Sequence, residues 1–89
     1  MGNVMGGSAY AMSKQISEGY ILVTERTFQR MKPQEMDKLS FQMEKLLREV
    51  RAEQPDLQDT KALQKRNRKM SRIRSALMML RSYRARRKR

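Results

Sequence analysis

One proline divides the apolar pattern of this chain in two. Ahead of Gln54-Pro55-Asp56, the residues Met36, Leu39, Met43, Leu46, Leu47 and Val50 recur at steps of three, four, three, one and three, the spacing of one face of an α-helix. Beyond it, Leu63, Met70, Ile73, Leu77 and Leu80 repeat the pattern, with Ala76 and Tyr83 beside them. The residue before a proline avoids helical dihedrals, which argues against one continuous rod. Two amphipathic helices separated by so short a break become antiparallel neighbours and bury their stripes against each other. The expectation is a mainly α fold, an antiparallel helical hairpin over residues 20–86 with helices at about 33–53 and 57–86. At 1.5 Å per residue these are about 30 Å and about 40 Å long. Pro33 suits the first helical position, and Glu35 and Asp37 suit the positive end of the dipole. Asp56 is the expected N-cap of the second helix, with Asp59 three residues on completing a capping box.

The first third reads differently. Residues 1–19 carry all four glycines and no sustained apolar period, which predicts a flexible N-terminal arm. Residues 20–28 are rich in β-branched and aromatic side chains, which favours a short strand with Tyr20, Leu22, Thr24, Arg26 and Phe28 on one face. An isolated strand has no ladder partner in the chain, so an irregular segment or a helical turn packed on the core is the even alternative. No export signal is visible, because the first basic residue is Lys14 and no early apolar run exists. The longest apolar run, Ala76 to Leu80, is far too short to span a bilayer. Gly6 stands where a myristoylation motif wants Ser or Thr. An intracellular location is expected.

Charge is the second constraint. The 89 residues carry a net charge of +12. Residues 1–59 hold 8 basic and 9 acidic side chains, whereas residues 60–89 hold 13 basic and none acidic. A block of one sign on this scale points to a polyanion, nucleic acid or an anionic membrane surface. Cys and His are both absent, which excludes Cys/His zinc sites, disulfides, Cys nucleophiles and His-based triads. No tuned acid–base pair in a walled pocket is apparent, so no enzyme activity and no cofactor are expected. Met36, Met43, Met70, Met78 and Met79 read as core or interface fillers, with Met78 and Met79 off the main stripe.

The candidate nucleic-acid-binding residues are therefore Lys61, Lys65, Arg66, Arg68, Lys69, Arg72, Arg74, Arg81, Arg84, Arg86, Arg87, Lys88 and Arg89. Nine of the thirteen are arginine. Arginine forks onto phosphate and stacks on bases, which suits structured RNA more than DNA. The bland reading is a solvated basic face, or a localisation tag at the basic tail 84–89. That tail has no apolar anchor after Tyr83 and is expected to fray when unbound.

Leu57, Thr60 and Leu63, followed by Arg68, Met70, Ser71, Arg72, Ile73, Arg74, Ser75 and Leu77, resemble the second helix of the large-subunit ribosomal protein L-twenty-nine family. Met31-Lys32, Glu35-Met36 and Leu39-Ser40 resemble that family's opening. Residues 1–30 and 78–89 have no counterpart in it, and Glu53-Gln54-Pro55-Asp56 replaces its usual turn. The resemblance implies an antiparallel helical hairpin lying on ribosomal RNA. A chain this short buries little surface, so protein partners of a larger assembly are also expected. The function expected is thus an RNA-binding hairpin, a structural or accessory part of a ribonucleoprotein. Two alternatives remain open. One is a dimeric ribbon-helix-helix DNA-binding protein, for which residues 20–28 would supply the strand. The other is a coiled-coil interaction subunit with a basic tail, suggested by the near-heptad spacing of the second stripe.

Overall fold

The hairpin forms as the two stripes require. The computed structural model describes residues 4–87, with side chains from Ala9 to Arg86. Its helices are α1 (Val4–Glu18), α2 (Glu25–Gln29), α3 (Pro33–Ala52) and α4 (Thr60–Arg87). In α3, Met36, Leu39, Met43, Leu46 and Val50 are buried, with Leu47 packed at the edge. They meet Met70, Ile73, Ala76, Leu77, Leu80 and Tyr83 of α4 in one core. The two helices run antiparallel: Arg66 near the start of α4 reaches the end of α3, and Arg84 near its end reaches Asp37 at the start. Pro33 opens α3, and Glu35 Oε1 accepts the Lys32 backbone N–H at 2.8 Å, closing half of a capping box.

The turn differs from expectation by almost one turn of helix. Asp56 does not cap α4. Its Oδ1 accepts the Gln58 N–H at 2.9 Å, and its carbonyl accepts the Asp59 N–H at 2.8 Å. That is an Asx-type turn, the local alternative that a short acidic side chain offers the backbone. Asp59 is the N-cap: its Oδ1 accepts the Ala62 N–H at 3.1 Å, and its carbonyl takes the first intrahelical bond from Leu63. Helix α4 therefore begins at Thr60 rather than 57, and Leu57 is left exposed in the turn.

Residues 20–28 form no strand. Tyr20, Ile21 and Leu22 run exposed along an irregular connection, Val23 turns inward, and Glu25–Gln29 is the short helix α2. The physical reason is the missing ladder: among the described residues no second strand is present to pair with this one. Thr24 stands in extended conformation ahead of α2, and Thr27 Oγ1 accepts its N–H at 3.2 Å. Phe28 is fully buried, its ring 5.7 Å from Tyr83 at a tilted angle, an aromatic arrangement that adds to the burial of both rings.

The expected arm is, over its described length, helix α1 packed against both α3 and α4. Its first three residues lie outside the described residues. Ala9, Met12, Ser13, Ile16 and Ser17 share its buried face. The two serines conceal the period from a hydropathy reading, yet they are buried without loss. Ser13 Oγ donates to the Tyr10 carbonyl at 2.7 Å, and Ser17 Oγ to the Lys14 carbonyl at 2.8 Å, so neither hydroxyl is left unsatisfied. Burying Met12 and Ile16 stabilises the docked helix by about 1.5–3 kcal/mol each.

Helix α1 stops at Gly19, which has φ +86°. Its N–H bonds the Ile16 carbonyl at 3.1 Å and the Tyr20 N–H bonds that of Gln15 at 2.9 Å, the paired bonds of a Schellman end. A Cβ at Gly19 would sit 2.8 Å from Arg72 Cζ, so a side chain here meets both backbone strain and a neighbour. Gly19→Ala is expected to lower stability by about 1–2 kcal/mol, read as a shift in the urea midpoint at constant m-value.

Candidate nucleic-acid interface

The fold sorts the α4 cations into three groups. The first serves the chain itself. The last carbonyls of a helix have no intrahelical partner. At the end of α3, Arg66 Nη2 donates to the Arg51 carbonyl at 2.7 Å, and its Nε joins the Glu53 N–H on the Val50 carbonyl at 3.1 Å. At the end of α1, Arg72 Nη1 donates to the Ser17 carbonyl at 3.0 Å, and Lys69 Nζ lies 3.7 Å from Glu18 Oε2. Cations at helix C-termini are also favoured by the helix dipole. These three are structural parts of the bundle.

The second group is ion-paired at the surface. Arg81 Nη2 meets Glu44 at 3.0 Å, Arg84 Nη1 meets Asp37 at 2.6 Å, and Arg86 pairs with Glu25. The block from 60 onward has no acid of its own, and the fold brings it acids from α1, α2 and α3. Each exposed pair contributes about 0–1 kcal/mol. Arg84 and Arg86 nonetheless tie the start of the basic tail to α3 and α2, and helix α4 continues to Arg87. The side chain of Arg87, and Lys88 and Arg89 entirely, lie outside the described residues.

The third group is free. Lys61, Lys65, Arg68 and Arg74 are exposed and make no ion pair or side-chain hydrogen bond among the described residues. Arg68 and Arg74 flank an outward strip of exposed uncharged side chains, Asn67, Ser71 and Ser75. On the Arg74 side, α3 and α4 part into a groove of about 550 Å³ with Leu47, Leu77 and Met78 along it. Arg48, Arg51, Arg74 and the Arg81–Glu44 pair rim it, a formal charge of +3 over one concave surface. Arg48 and Arg51 have no side-chain partner among the described residues. They were not among the candidates read from the sequence, because they belong to the segment whose charge sums to nearly zero. Their spacing of three, alongside Leu47, is the signal that marks them: it places both on the flank that an antiparallel α4 must border.

Lys69 and Arg72 point to α1, on a different flank of α4 from Arg74 and Arg81. The arrangement therefore offers an anion surface in two parts, the α3–α4 groove and the exposed cations near the start of α4. Guanidinium groups around an apolar floor can grip phosphate oxygens while a base or ribose lies against the floor. Among the described residues no group of acidic side chains could hold a metal ion, and no helix is long and apolar enough to cross a membrane. No protein-family model, curated protein or solved structure matches the chain.

The sorting is checked by stability. Arg72→Ala removes a charged donor from a helix-end carbonyl and is expected to cost about 1.5–3 kcal/mol, whereas Arg68→Ala is expected to stay within about 0.5 kcal/mol of the parent. Urea unfolding of the two variants side by side makes the comparison.

Proposed function

We propose that this protein binds RNA through the α3–α4 groove and the neighbouring free cations of α4, as a structural or accessory component of a ribonucleoprotein. The observation that carries this reading is the groove itself: three arginines from two helices, Arg48, Arg51 and Arg74, face one apolar-floored concavity and have no counter-charge of their own among the described residues. A stable fold has no need of such a cluster, since like charges held together repel. It gains free energy when its guanidinium groups displace the cations condensed on a nucleic-acid backbone. Arginine rather than lysine at all three positions favours planar, forked contacts and stacking on unpaired bases, the mode by which RNA is read. The resemblance of residues 31–77 to the ribosomal L-twenty-nine family points the same way, toward a hairpin lying on ribosomal RNA inside an assembly. An intracellular site of action follows from that reading.

The two alternatives have less to stand on. Ribbon-helix-helix proteins read DNA with a paired strand, and the residues that would supply it are an irregular connection and α2. A coiled coil needs the second stripe free for a partner helix, and Met70, Ile73, Leu77 and Leu80 are buried within this chain.

The test is the salt dependence of binding to a single-stranded RNA. Replacing Arg48, Arg51 and Arg74 together with Ala is expected to reduce the slope of log affinity against log salt by about 2, at about 0.7 for each phosphate no longer neutralised. Replacing Arg84 and Arg86, already paired with Asp37 and Glu25, is expected to change the slope much less. Equal slopes for the parent and the groove variant would overturn the assignment.

A further inference from the structure

The connection between α1 and α2 does something that folding alone does not ask for. Both of its ends are held. Gly19 is fixed by the Schellman bonds and lies against Arg72, and Val23 is buried in the core. Between them, three consecutive apolar residues face water: Tyr20 is 80% exposed, Leu22 88% and Ile21 37%. Single exposed apolar residues are ordinary, whereas a contiguous patch signals a contact surface. Ile21 and Leu22 continue into an apolar hollow of about 300 Å³ lined also by Ile16, Val23, Ala76 and Met79. Its rim includes Arg72 and Ser71 of α4. One turn before them, on the same flank of the helix, stand the unpaired Arg68 and, further back, Lys61 and Lys65.

The charge around this patch selects its partner. A second copy of a chain carrying +12 is repelled, so the patch is not suited to self-association. A projecting tip of Tyr, Ile and Leu beside uncompensated cations matches the two requirements of peripheral binding to an anionic bilayer. Apolar side chains enter the boundary between headgroups and acyl chains, and basic side chains meet the negative surface. Tyrosine is at home at that depth, with an apolar ring and a polar hydroxyl. We infer that the Tyr20-Ile21-Leu22 tip, with Lys61, Lys65 and Arg68 behind it, is a docking surface for anionic lipid headgroups. The apolar tip lies on the flank of α4 away from the Arg74 groove and the inference does not rest on the RNA reading, although Lys61, Lys65 and Arg68 are cations for which RNA and lipid headgroups would compete.

Cosedimentation of the full chain with large vesicles tests it, using phosphatidylcholine alone and phosphatidylcholine with about a third phosphatidylserine. The parent is expected to partition onto the serine-containing vesicles only, and 0.5 M salt is expected to release most of it. Tyr20→Ser with Leu22→Ser is expected to weaken partitioning about tenfold at unchanged net charge, while the melting temperature and the affinity for RNA stay as in the parent. No partitioning of the parent would overturn the inference and leave the tip to an acidic protein partner. Equal partitioning of parent and double variant would overturn it too, since binding would then be charge alone. Melting curves establish that the variant is folded, and a single Leu22→Gln variant repeats the test should the double variant fold poorly. Loss of RNA binding in the Arg48, Arg51 and Arg74 variant bears on the groove and not on the tip.

Discussion

Everything else in the molecule hangs on the mutual burial of two apolar stripes across the Pro55 turn. Leu39, Met43 and Val50 from one side and Ile73 and Leu80 from the other are almost wholly removed from water. Because the two helices are antiparallel, the register that buries these residues also decides which surface charges become neighbours. Glu44 and Asp37 come to Arg81 and Arg84. Arg48 and Arg51 come to Arg74. The ion pairs and the groove are both by-products of the same hydrophobic alignment, and neither could be moved without shifting the core by a helical step.

A basic segment of this density would repel itself as an isolated helix. In the folded chain its cations are divided among different tasks. Arg66, Lys69 and Arg72 sit where helix-end carbonyls and Glu18 need donors. Arg81, Arg84 and Arg86 find exposed carboxylates. Among the described residues, what remains unpaired lies on the exposed flanks of α4. The distinction matters for any mutational study, since neutralising Arg66 or Arg72 alters the scaffold, while neutralising Arg68 or Arg74 alters only the surface.

The hairpin was legible in the sequence because long, regular stripes and a proline break leave few other solutions. Helix α3 begins and ends within a residue of its expected bounds. The N-terminal third was less legible. Its buried face mixes Met12 and Ile16 with Ser13 and Ser17, and a serine bonded to the carbonyl three residues back is concealed from any hydropathy count. Residues 20–28 carried strand-forming side chains, but strand propensity is realised only against a neighbouring strand, and the chain offers Tyr83 to Phe28 instead. The groove was half legible: Arg74 and Arg81 stood out in the one-sign block, while Arg48 and Arg51 were marked only by their spacing beside Leu47, and the register of α3 against α4 is what sets them opposite Arg74.

The bond between Arg72 and the end of α1 spans 55 residues of sequence, and that between Arg86 and Glu25 spans 61, against 16 for the Arg66 bond at the turn. Contacts across short loops form first, because less chain entropy is given up in closing them. Loop-closure entropy therefore favours closing the hairpin at Pro55 ahead of the bonds that tie α4 to α1 and α2. In the reverse direction, the elements that close last are the ones whose opening leaves the hairpin standing. Amide hydrogen exchange would then divide the chain into two cooperative units, an inner one over α3 and α4 and an outer one over α1, the connection and α2.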